Sequence, residues 1–209
     1  MGRRALLLPA SLALTAVLAR PPLADASDWP QWNLDSRHSG TSLQESTLHA
    51  GNVATLHVRY HVTLPDVADG APAYLAGVLT PQGQKDLLFL NTRGGTLLAV
   101  DAATGAVVWS KQPATGPGAT TSSPAVDPSR RFVYAYALDG KVHKYAVGDG
   151  AEVTTGGWPE VATLKPDVEK GSAALSLATA ANGTSYLYAA SSGYKAETGD
   201  YQGHVSAIV

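Results

Sequence analysis

The segment Asp86–Lys111, DLLFLNTRGGTLLAVDAATGAVVWSK, is the most informative part of the sequence for the fold, because it contains three short apolar runs separated by turn residues. Leu87–Asn91 and Thr96–Val100 are predicted to pair as a hairpin across the Arg-Gly-Gly turn, where glycine supplies the left-handed backbone of a tight turn. A second turn, Asp101–Gly105, leads into a third strand, Ala106–Lys111. Three consecutive antiparallel strands in one segment predict an all-β fold.

The pattern recurs 45 residues further along the chain, where Gly140 matches Gly95 and Gly150 matches Gly105. A recurrence at this spacing indicates structural repeats, and four-stranded units of this length are typical of propeller blades. A sandwich has no reason to repeat its turn residues, and a parallel β-helix has a shorter period. The sequence therefore predicts a partial β-propeller of two to three four-stranded antiparallel blades.

Further strands are predicted around these turns, and a looser third copy follows the second. The predicted strands are Ala73–Thr80 in the first copy, Ser123–Val126 and Arg131–Leu138 in the second, and Ala173–Thr179, Thr184–Ala190 and Gly203–Val209 in the third. A polar insertion, Gly193–Gln202, enlarges one turn of the third copy and is expected to project from one face of the molecule.

The segment Gly95–Trp109 resembles the pyrroloquinoline-quinone-like repeat family, whose blade phrase runs approximately Gly-x-Leu-x-Ala-Leu-Asp-x-x-Thr-Gly-x-x-x-Trp. The second copy keeps its glycines but has a displaced tryptophan, and the third copy keeps only the start of the phrase. The lead-in around Trp29-Pro30-Gln31-Trp32 and Asp35–Gly40 is also similar to the opening of these quinoprotein-like propellers. The residues that carry the repeat signature, in a structural role, are Gly95, Ala99, Asp101, Gly105, Trp109, Gly140, Gly150, Trp158, Gly203 and Ala207.

The resemblance implies a closed ring of seven or eight blades, of which this chain holds fewer than half. We therefore expect an N-terminal fragment with exposed sheet edges, in which His57–Leu64 is the strand that would close the ring. The predicted organisation is a lead-in with the ring-closing strand over residues 27–70, blades over 71–115 and 116–165, and an incomplete blade over 166–209.

The first residues have the pattern of a signal peptide. Arg3 and Arg4 precede the apolar stretch Ala5–Leu18, and Ala24-Asp25-Ala26 forms a small-x-small cleavage site. The apolar stretch is shorter than the roughly 20 residues that span a bilayer and contains Pro9, so a membrane anchor is the weaker alternative. We predict a Sec-type signal peptide over residues 1–26 and a bacterial periplasmic or secreted protein with no stable membrane span after cleavage.

Composition narrows the classes of partner. The chain has no cysteine, which excludes disulfides and thiolate metal sites, and its 15 Lys and Arg against 17 Asp and Glu give no basic patch for nucleic acid. The 21 glycines and 13 prolines suit strands and tight turns. The expected partners are small molecules or proteins, held by loops on one face of the propeller.

Three motifs have a chemical and a structural interpretation, and the structural one is favoured for each. His57, Arg59 and His61 alternate on one strand face, but two histidines without a spaced carboxylate are a weak metal signal, so no metal site is predicted. Gly116-Pro117-Gly118 lacks the amide donors and lysine of a phosphate loop and suits a connector between blades. Asn182-Gly183-Thr184 is a glycosylation sequon in form, but Asn-Gly is more simply a hairpin turn.

Aromatic residues at regular spacing are predicted to pack between blades, with a stacking floor for a planar cofactor as the alternative. They are Trp109, Trp158, Tyr134, Tyr136, Tyr186 and Tyr188. The sequence contains no Gly-x-Ser-x-Gly elbow, so hydrolase chemistry has no support and the catalytic residues are unknown.

The family resemblance raises the question of a quinone cofactor. Quinone-dependent alcohol dehydrogenases place an adjacent cysteine pair and an arginine in their early blades, whereas this chain has Ala119–Pro124 in the corresponding stretch and no cysteine. No cofactor is evident, and pyrroloquinoline quinone and calcium are expected only if the full-length protein is an enzyme. Two functions remain open: an exported binding or scaffold propeller, and a quinone-dependent dehydrogenase of an alcohol, sugar or polymeric alcohol.

Overall fold

A computed structural model describes residues 28–116, 118–194 and 200–209. The predicted signal peptide and its cleavage site lie outside these residues. In the described part of the chain the only helix is a single 3-10 turn, Val53–Thr55, and the rest of the regular structure is antiparallel β-sheet. No helix among these residues has the length and apolar character needed to cross a membrane.

Three four-stranded sheets follow one another along the chain. The first consists of β1 (Ala73–Thr80), β2 (Gly83–Asn91), β3 (Leu97–Asp101) and β4 (Val107–Lys111), paired in that order. The second consists of β5 (Ala125–Val126), β6 (Phe132–Tyr136), β7 (Lys141–Ala146) and β8 (Glu160–Val161), again in chain order. In the third, β11 (Ser185–Gly193) pairs with β12 (His204–Ile208) and with both β10 (Ser176–Thr179) and β9 (Glu169–Gly171). The prediction of a partial β-propeller is confirmed.

The repeated glycines occupy equivalent turns. Gly95, between β2 and β3, has φ +76°, and Gly140, between β6 and β7, has φ +77°, so both lie in the left-handed region that side chains resist. The turn hydrogen bonds also match: Thr92 N–H donates to Thr96 O, and Ala137 N–H donates to Lys141 O, each at 2.9 Å. The spacing of 45 residues therefore reflects one local geometry used twice.

Alternation along each strand divides the core between two sheet interfaces. In β6, Val133 and Ala135 pack against the first sheet, whereas Tyr134 and Tyr136 pack against the third. Each interface is a separate buried cluster, one with Phe89 and Trp109 of the first sheet and the other with leucines of the third. The predicted packing role of Trp109, Tyr134 and Tyr136 is confirmed.

The lead-in segment touches the three sheets with three consecutive residues. Trp29 forms an antiparallel bridge with Tyr74 of β1, and the carbonyl of Pro30 accepts a hydrogen bond of 2.7 Å from Val126 N–H of β5. The buried side chain of Gln31 then exchanges two hydrogen bonds with the backbone of Leu177 in β10, at 2.8 and 3.1 Å. These contacts tie the inner strands of all three sheets to one short piece of backbone.

The predicted ring-closing role of His57–Leu64 stays a prediction. No strand is assigned there, and the segment lies instead against the first sheet, where the Tyr60 hydroxyl donates to Ala102 O at 2.9 Å. The tyrosine ring and Val62 occupy the space that a Cβ on Gly105 would need. Val58, between them and the start of the segment, is 68% exposed.

The third copy also differs from expectation in detail. Gly193, placed by prediction in the polar insertion, is the last residue of β11, and the unpredicted short strand β9 pairs beside it. The φ of Gly203 lies outside the left-handed region, so it does not repeat the turn role of Gly95. Leu187 of β11 packs on the second sheet. Because neighbouring residues of a strand point to opposite faces of the sheet, Tyr188 points away from the second sheet, and it is 38% exposed.

Candidate functional site

Connections between strands form two opposite faces of the molecule. We call one of them the loop face; it consists of the turns at Arg93–Gly95 and Asp139–Gly140, the connectors 112–124 and 162–175, and the described flanks of the insertion, Tyr194 and 200–203. The turn face, on the other side, carries the turns at 81–82, 102–105, 128–130, 148–150 and 182–183. The connectors bond directly to the loop-face turns: Thr120 N–H donates to Arg93 O, and Thr163 N–H to Gly140 O, each at 2.9 Å.

The connector between the first and second sheets is held by its own hydroxyl groups. Thr120 Oγ1 donates to Gly171 O at 2.8 Å, and Thr121 Oγ1 donates to Ser172 O at 3.1 Å. On the other side, Ser123 Oγ accepts a hydrogen bond of 2.8 Å from Ala71 N–H. These side chains therefore join successive connectors to one another around the inner ends of the sheets.

Tyr194 fills the space above this connector. Its hydroxyl accepts a hydrogen bond of 3.2 Å from Ala119 N–H, and it occupies the volume that a Cβ on Gly118 would take. The ring also lies under the ammonium of Lys170, whose Nζ is 5.8 Å from the ring centroid. Gly116 and Gly118 thus belong to the connector between β4 and β5, as predicted, and Pro117 lies outside the described residues.

These residues do not fit a quinone cofactor. The connector offers no arginine or cysteine, and three of the four hydroxyl side chains in its Thr120–Ser123 stretch are engaged in the hydrogen bonds above. Tyr194 fills the space beside Gly118 of the same connector. Among the described residues, no group of three or more His, Cys, Asp or Glu side chains could hold a metal ion.

The loop face contains a cleft of about 720 Å³ between the second and third sheets. At its floor lies Glu169 of β9, which is 1% exposed. One carboxylate oxygen accepts a hydrogen bond from Thr163 Oγ1 and lies 3.2 Å from His204 Nδ1, and the other accepts one from Gln202 N–H at 3.2 Å. Burial alone would raise the pKa of Glu169, but these donors and the charge of His204 lower it below its usual value.

Exposed polar groups line the walls of this cleft. The ammonium of Lys165 donates to the backbone carbonyl of Asp200 at 3.1 Å and to its carboxylate at 3.0 Å. The side chain of Asp200 is 99% exposed and that of His204 49% exposed, while Val161 and Leu164 give the cleft an apolar edge. The cleft volume lies in the range of known small-ligand and peptide sites, which is about 300–1,000 Å³.

The signature residues predicted from the sequence do not gather into one site. Gly95, Gly140 and Gly203 lie on the loop face, and Gly105 and Gly150 lie on the turn face. Asp101 stabilises its turn by accepting hydrogen bonds from Ala103 N–H at 2.9 Å and Lys85 Nζ at 2.7 Å. Ala99 pairs with Trp109 in the first sheet. The ring centroids of Trp158 and Tyr134 are 5.2 Å apart, and Ala207 is exposed on β12.

A second ionic cluster lies between the first and second sheets. His143 is 4% exposed, with Nδ1 2.6 Å from Glu152 Oε1 and Nε2 3.2 Å from both carboxylate oxygens of Asp139. Although burial would lower the pKa of His143, the hydrogen bonds and charges of the two carboxylates raise it above its usual value. Because both ring nitrogens are already paired with carboxylates, His143 has a structural role.

The chain is similar to proteins of known family and structure. Residues 31–199 match the family model described as outer membrane protein assembly factor BamB. No curated protein matches the chain.

Among solved structures, the quinohemoprotein alcohol dehydrogenase of Comamonas testosteroni matches with 17% identity and a TM-score of 0.57, over 79% of this chain and 23% of that one. The quinohemoprotein alcohol dehydrogenase ADHIIG of Pseudomonas putida HK5 matches with 18% identity and a TM-score of 0.59, over 86% of this chain and 24% of that one. The chain thus spans about a quarter of these two enzymes, and the likeness shows a shared fold.

Proposed function

Since the chain belongs to the PQQ-like repeat β-propeller family whose model is described as outer membrane protein assembly factor BamB, we propose that it is part of an exported, non-catalytic propeller that binds a partner protein through its loop face. Export rests on the signal-peptide pattern of residues 1–26. The proposed partner is a protein because the family description concerns protein assembly.

One observation carries the non-catalytic part of this proposal. Three of the four hydroxyl side chains of Thr120–Ser123 are hydrogen-bonded to neighbouring segments, and Tyr194 contacts Gly118, so this region is held in place by side-chain contacts. A rigid surface of this kind suits recognition of another protein, because a binding surface that is already ordered loses little conformational entropy on association.

The proposal is tested by photo-crosslinking in the cells that make the protein. A photoreactive amino acid at the exposed loop-face positions Arg93 and Gln112 is expected to give a discrete crosslinked product, identified by mass spectrometry. The same amino acid at the exposed turn-face positions Gln82 and Asn182 serves as the matched control. Crosslinks of equal yield from both faces, or none from the loop face, contradict the proposal.

A second measurement addresses the alternative of a quinone-dependent dehydrogenase. Purified protein is mixed with pyrroloquinoline quinone, calcium and a series of alcohols and sugars, and reduction of an artificial electron acceptor is followed. We expect neither quinone binding nor acceptor reduction. Alcohol-dependent reduction of the acceptor would contradict the scaffold function and show that the protein is an oxidoreductase.

A further inference from the structure

We propose that the cleft above Glu169 is a recognition site for a carboxylate of the partner protein, and that Asp200, which pairs with Lys165 at the cleft rim, is a displaceable internal substitute in the free protein. The proposal rests on the proposed function, since it assigns a chemistry to one part of the loop face. The observation behind it is the contact of Lys165 with Asp200, in which a lysine on the cleft wall already holds a carboxylate.

The groups that a ligand can reach favour an acidic one, because the two carboxylates of the lining, Glu169 and Asp200, are already paired. Glu169, the buried acid at the floor, has both carboxylate oxygens occupied by Thr163, His204 and the Gln202 amide, so it has little capacity left for a cationic ligand. The two basic side chains, Lys165 and His204, are about half exposed, and each presents part of its surface to an approaching group. A carboxylate that enters the cleft therefore meets donors and a positive charge.

Glu169 also acts as a positioning residue for the wall of the cleft. Its Oε2 atom lies 3.2 Å from His204 Nδ1, a contact that fixes the imidazole and leaves Nε2 as the nitrogen available to a ligand. The Gln202 amide is held by the other oxygen at 3.2 Å. Glu169 thus holds His204 and the Gln202 amide in place on one wall of the cleft. On the Lys165 side, the lysine is paired with Asp200, which another carboxylate can replace.

The contact between Lys165 and Asp200 is suited to exchange. The Asp200 side chain is 99% exposed, and an ion pair in contact with water contributes little to stability, so a competing carboxylate displaces it at small cost. Beside it, Leu164 is 88% exposed and Val161 is 47% exposed, and both line the cleft. The site therefore fits an aspartate or glutamate of the partner that is followed by an apolar side chain.

The test uses two capped dipeptides that differ only in charge, N-acetyl-aspartyl-leucine amide and N-acetyl-asparaginyl-leucine amide. Each is titrated into the isotope-labelled full chain, and the NMR signals of Lys165, Gln202 and His204 are followed. We expect saturable shifts with the acidic peptide and binding at least about fivefold weaker with the neutral one. Equal affinity for the two peptides overturns the proposal, and this comparison requires no variant.

Two substitutions give results of opposite sign. Lys165→Gln is expected to abolish the preference for the acidic peptide, whereas Asp200→Asn removes the internal competitor and strengthens acidic-peptide binding by up to about fivefold. Lys141→Gln is the matched control, because Lys141 is also paired with an aspartate on the loop face, at 3.9 Å from Asp139, but lies outside the cleft. Unchanged or weaker binding by Asp200→Asn overturns the proposal.

The outcome is separable from that of the proposed function. Crosslinking from Arg93 and Gln112, which lie outside the cleft, reports on partner binding to the loop face as a whole. If those crosslinks form while the two dipeptides bind equally, the carboxylate site is wrong and the scaffold function stands. If the crosslinks are absent and the acidic peptide is still preferred, the scaffold function is wrong, and the cleft binds a carboxylate that does not come from such a partner.

Discussion

The indole of Trp109 in the first sheet donates a hydrogen bond of 3.0 Å from Nε1 to the carbonyl of Val147 in the second sheet. The ring is 8% exposed and packs between Phe89 and Tyr145, with centroid separations of 5.8 and 6.5 Å. One side chain thus supplies both apolar packing and a polar link across the sheet boundary.

Replacing Trp109 by alanine is expected to lower the free energy of unfolding by about 3–5 kcal/mol, the usual cost of emptying a large buried aromatic site. Urea denaturation followed by circular dichroism measures this change. Trp32→Ala is the control, because Trp32 is 44% exposed and its removal is expected to cost less than about 1 kcal/mol. Equal losses for the two variants would show that Trp109 does not join the sheets.

Gly150 is expected to tolerate alanine poorly for two reasons. Its φ is +68°, and a Cβ there would lie 2.8 Å from the Trp109 ring, so Gly150→Ala is expected to cost at least about 1–2 kcal/mol. Gly203→Ala is the matched control, since a Cβ at Gly203 meets only Ser191 O, at 3.6 Å. Thermal unfolding measures the midpoint temperature of both variants. A similar fall in midpoint for the two would contradict the prediction that Gly150→Ala is the more destabilising.

The buried His143 cluster predicts a dependence of stability on pH. Because the folded protein raises the pKa of His143 above the unfolded value of 6.5, the stabilisation is complete below that value and is lost as the pH rises through the folded pKa. The stability difference between the protein and its His143→Gln variant is therefore expected to be larger at about pH 5.5 than at about pH 8.5. Denaturation at the two pH values measures it, and a larger difference at the higher pH would reverse the assignment.

Gln31 is expected to stabilise the third sheet, although it lies 146 residues before its partner Leu177 in the sequence. Gln31→Ala leaves the N–H and C=O groups of Leu177 without their partner, at a cost of about 1–3 kcal/mol. Hydrogen exchange at the Leu177 amide is expected to accelerate, whereas Gln82→Ala, an exposed control on the turn face, leaves it unchanged. Unaltered exchange in the Gln31 variant would argue against this link.

Export predicts a defined mature N-terminus. Expressed in a Gram-negative bacterium, the chain is expected to reach the periplasm and to be cleaved after Ala26, so that sequencing of the purified protein begins at Ser27. An Ala24→Asp, Ala26→Asp double variant, which places charge in the cleavage site, is expected to retain the leader. An unprocessed, cytoplasmic product from the unaltered chain would contradict the prediction.

The repeated sheets could be predicted from the sequence because their signal is local. Gly95 and Gly140 mark turns whose backbone geometry few other residues adopt, and the apolar runs on either side fix the strands. The contacts of His57–Leu64 could not be predicted, because Tyr60 and Val62 lie against the turn at Gly105 through their side chains and alternation carries no signal for such a contact.

The cleft could not be predicted in the same way. Glu169 lies in a strand of three residues, and it meets His204 only because β9 and β12 both pair with β11. Neither residue belongs to a motif with a known spacing, and burial of the acid depends on contacts between elements that are distant in sequence. Long-range strand pairing brings these residues together, and the local sequence carries no signal for it.

The contacts of Trp29, Pro30 and Gln31 have a consequence for how the chain folds. Repeat proteins whose units touch only their neighbours can fold unit by unit, and their rates are set by short loops. Here Gln31 is joined to Leu177 across 146 residues, so the lead-in completes its native contacts only after the third sheet has formed. Such non-local closure slows folding and makes it cooperative, and it leaves the newly made chain exposed to aggregation until the last sheet is in place.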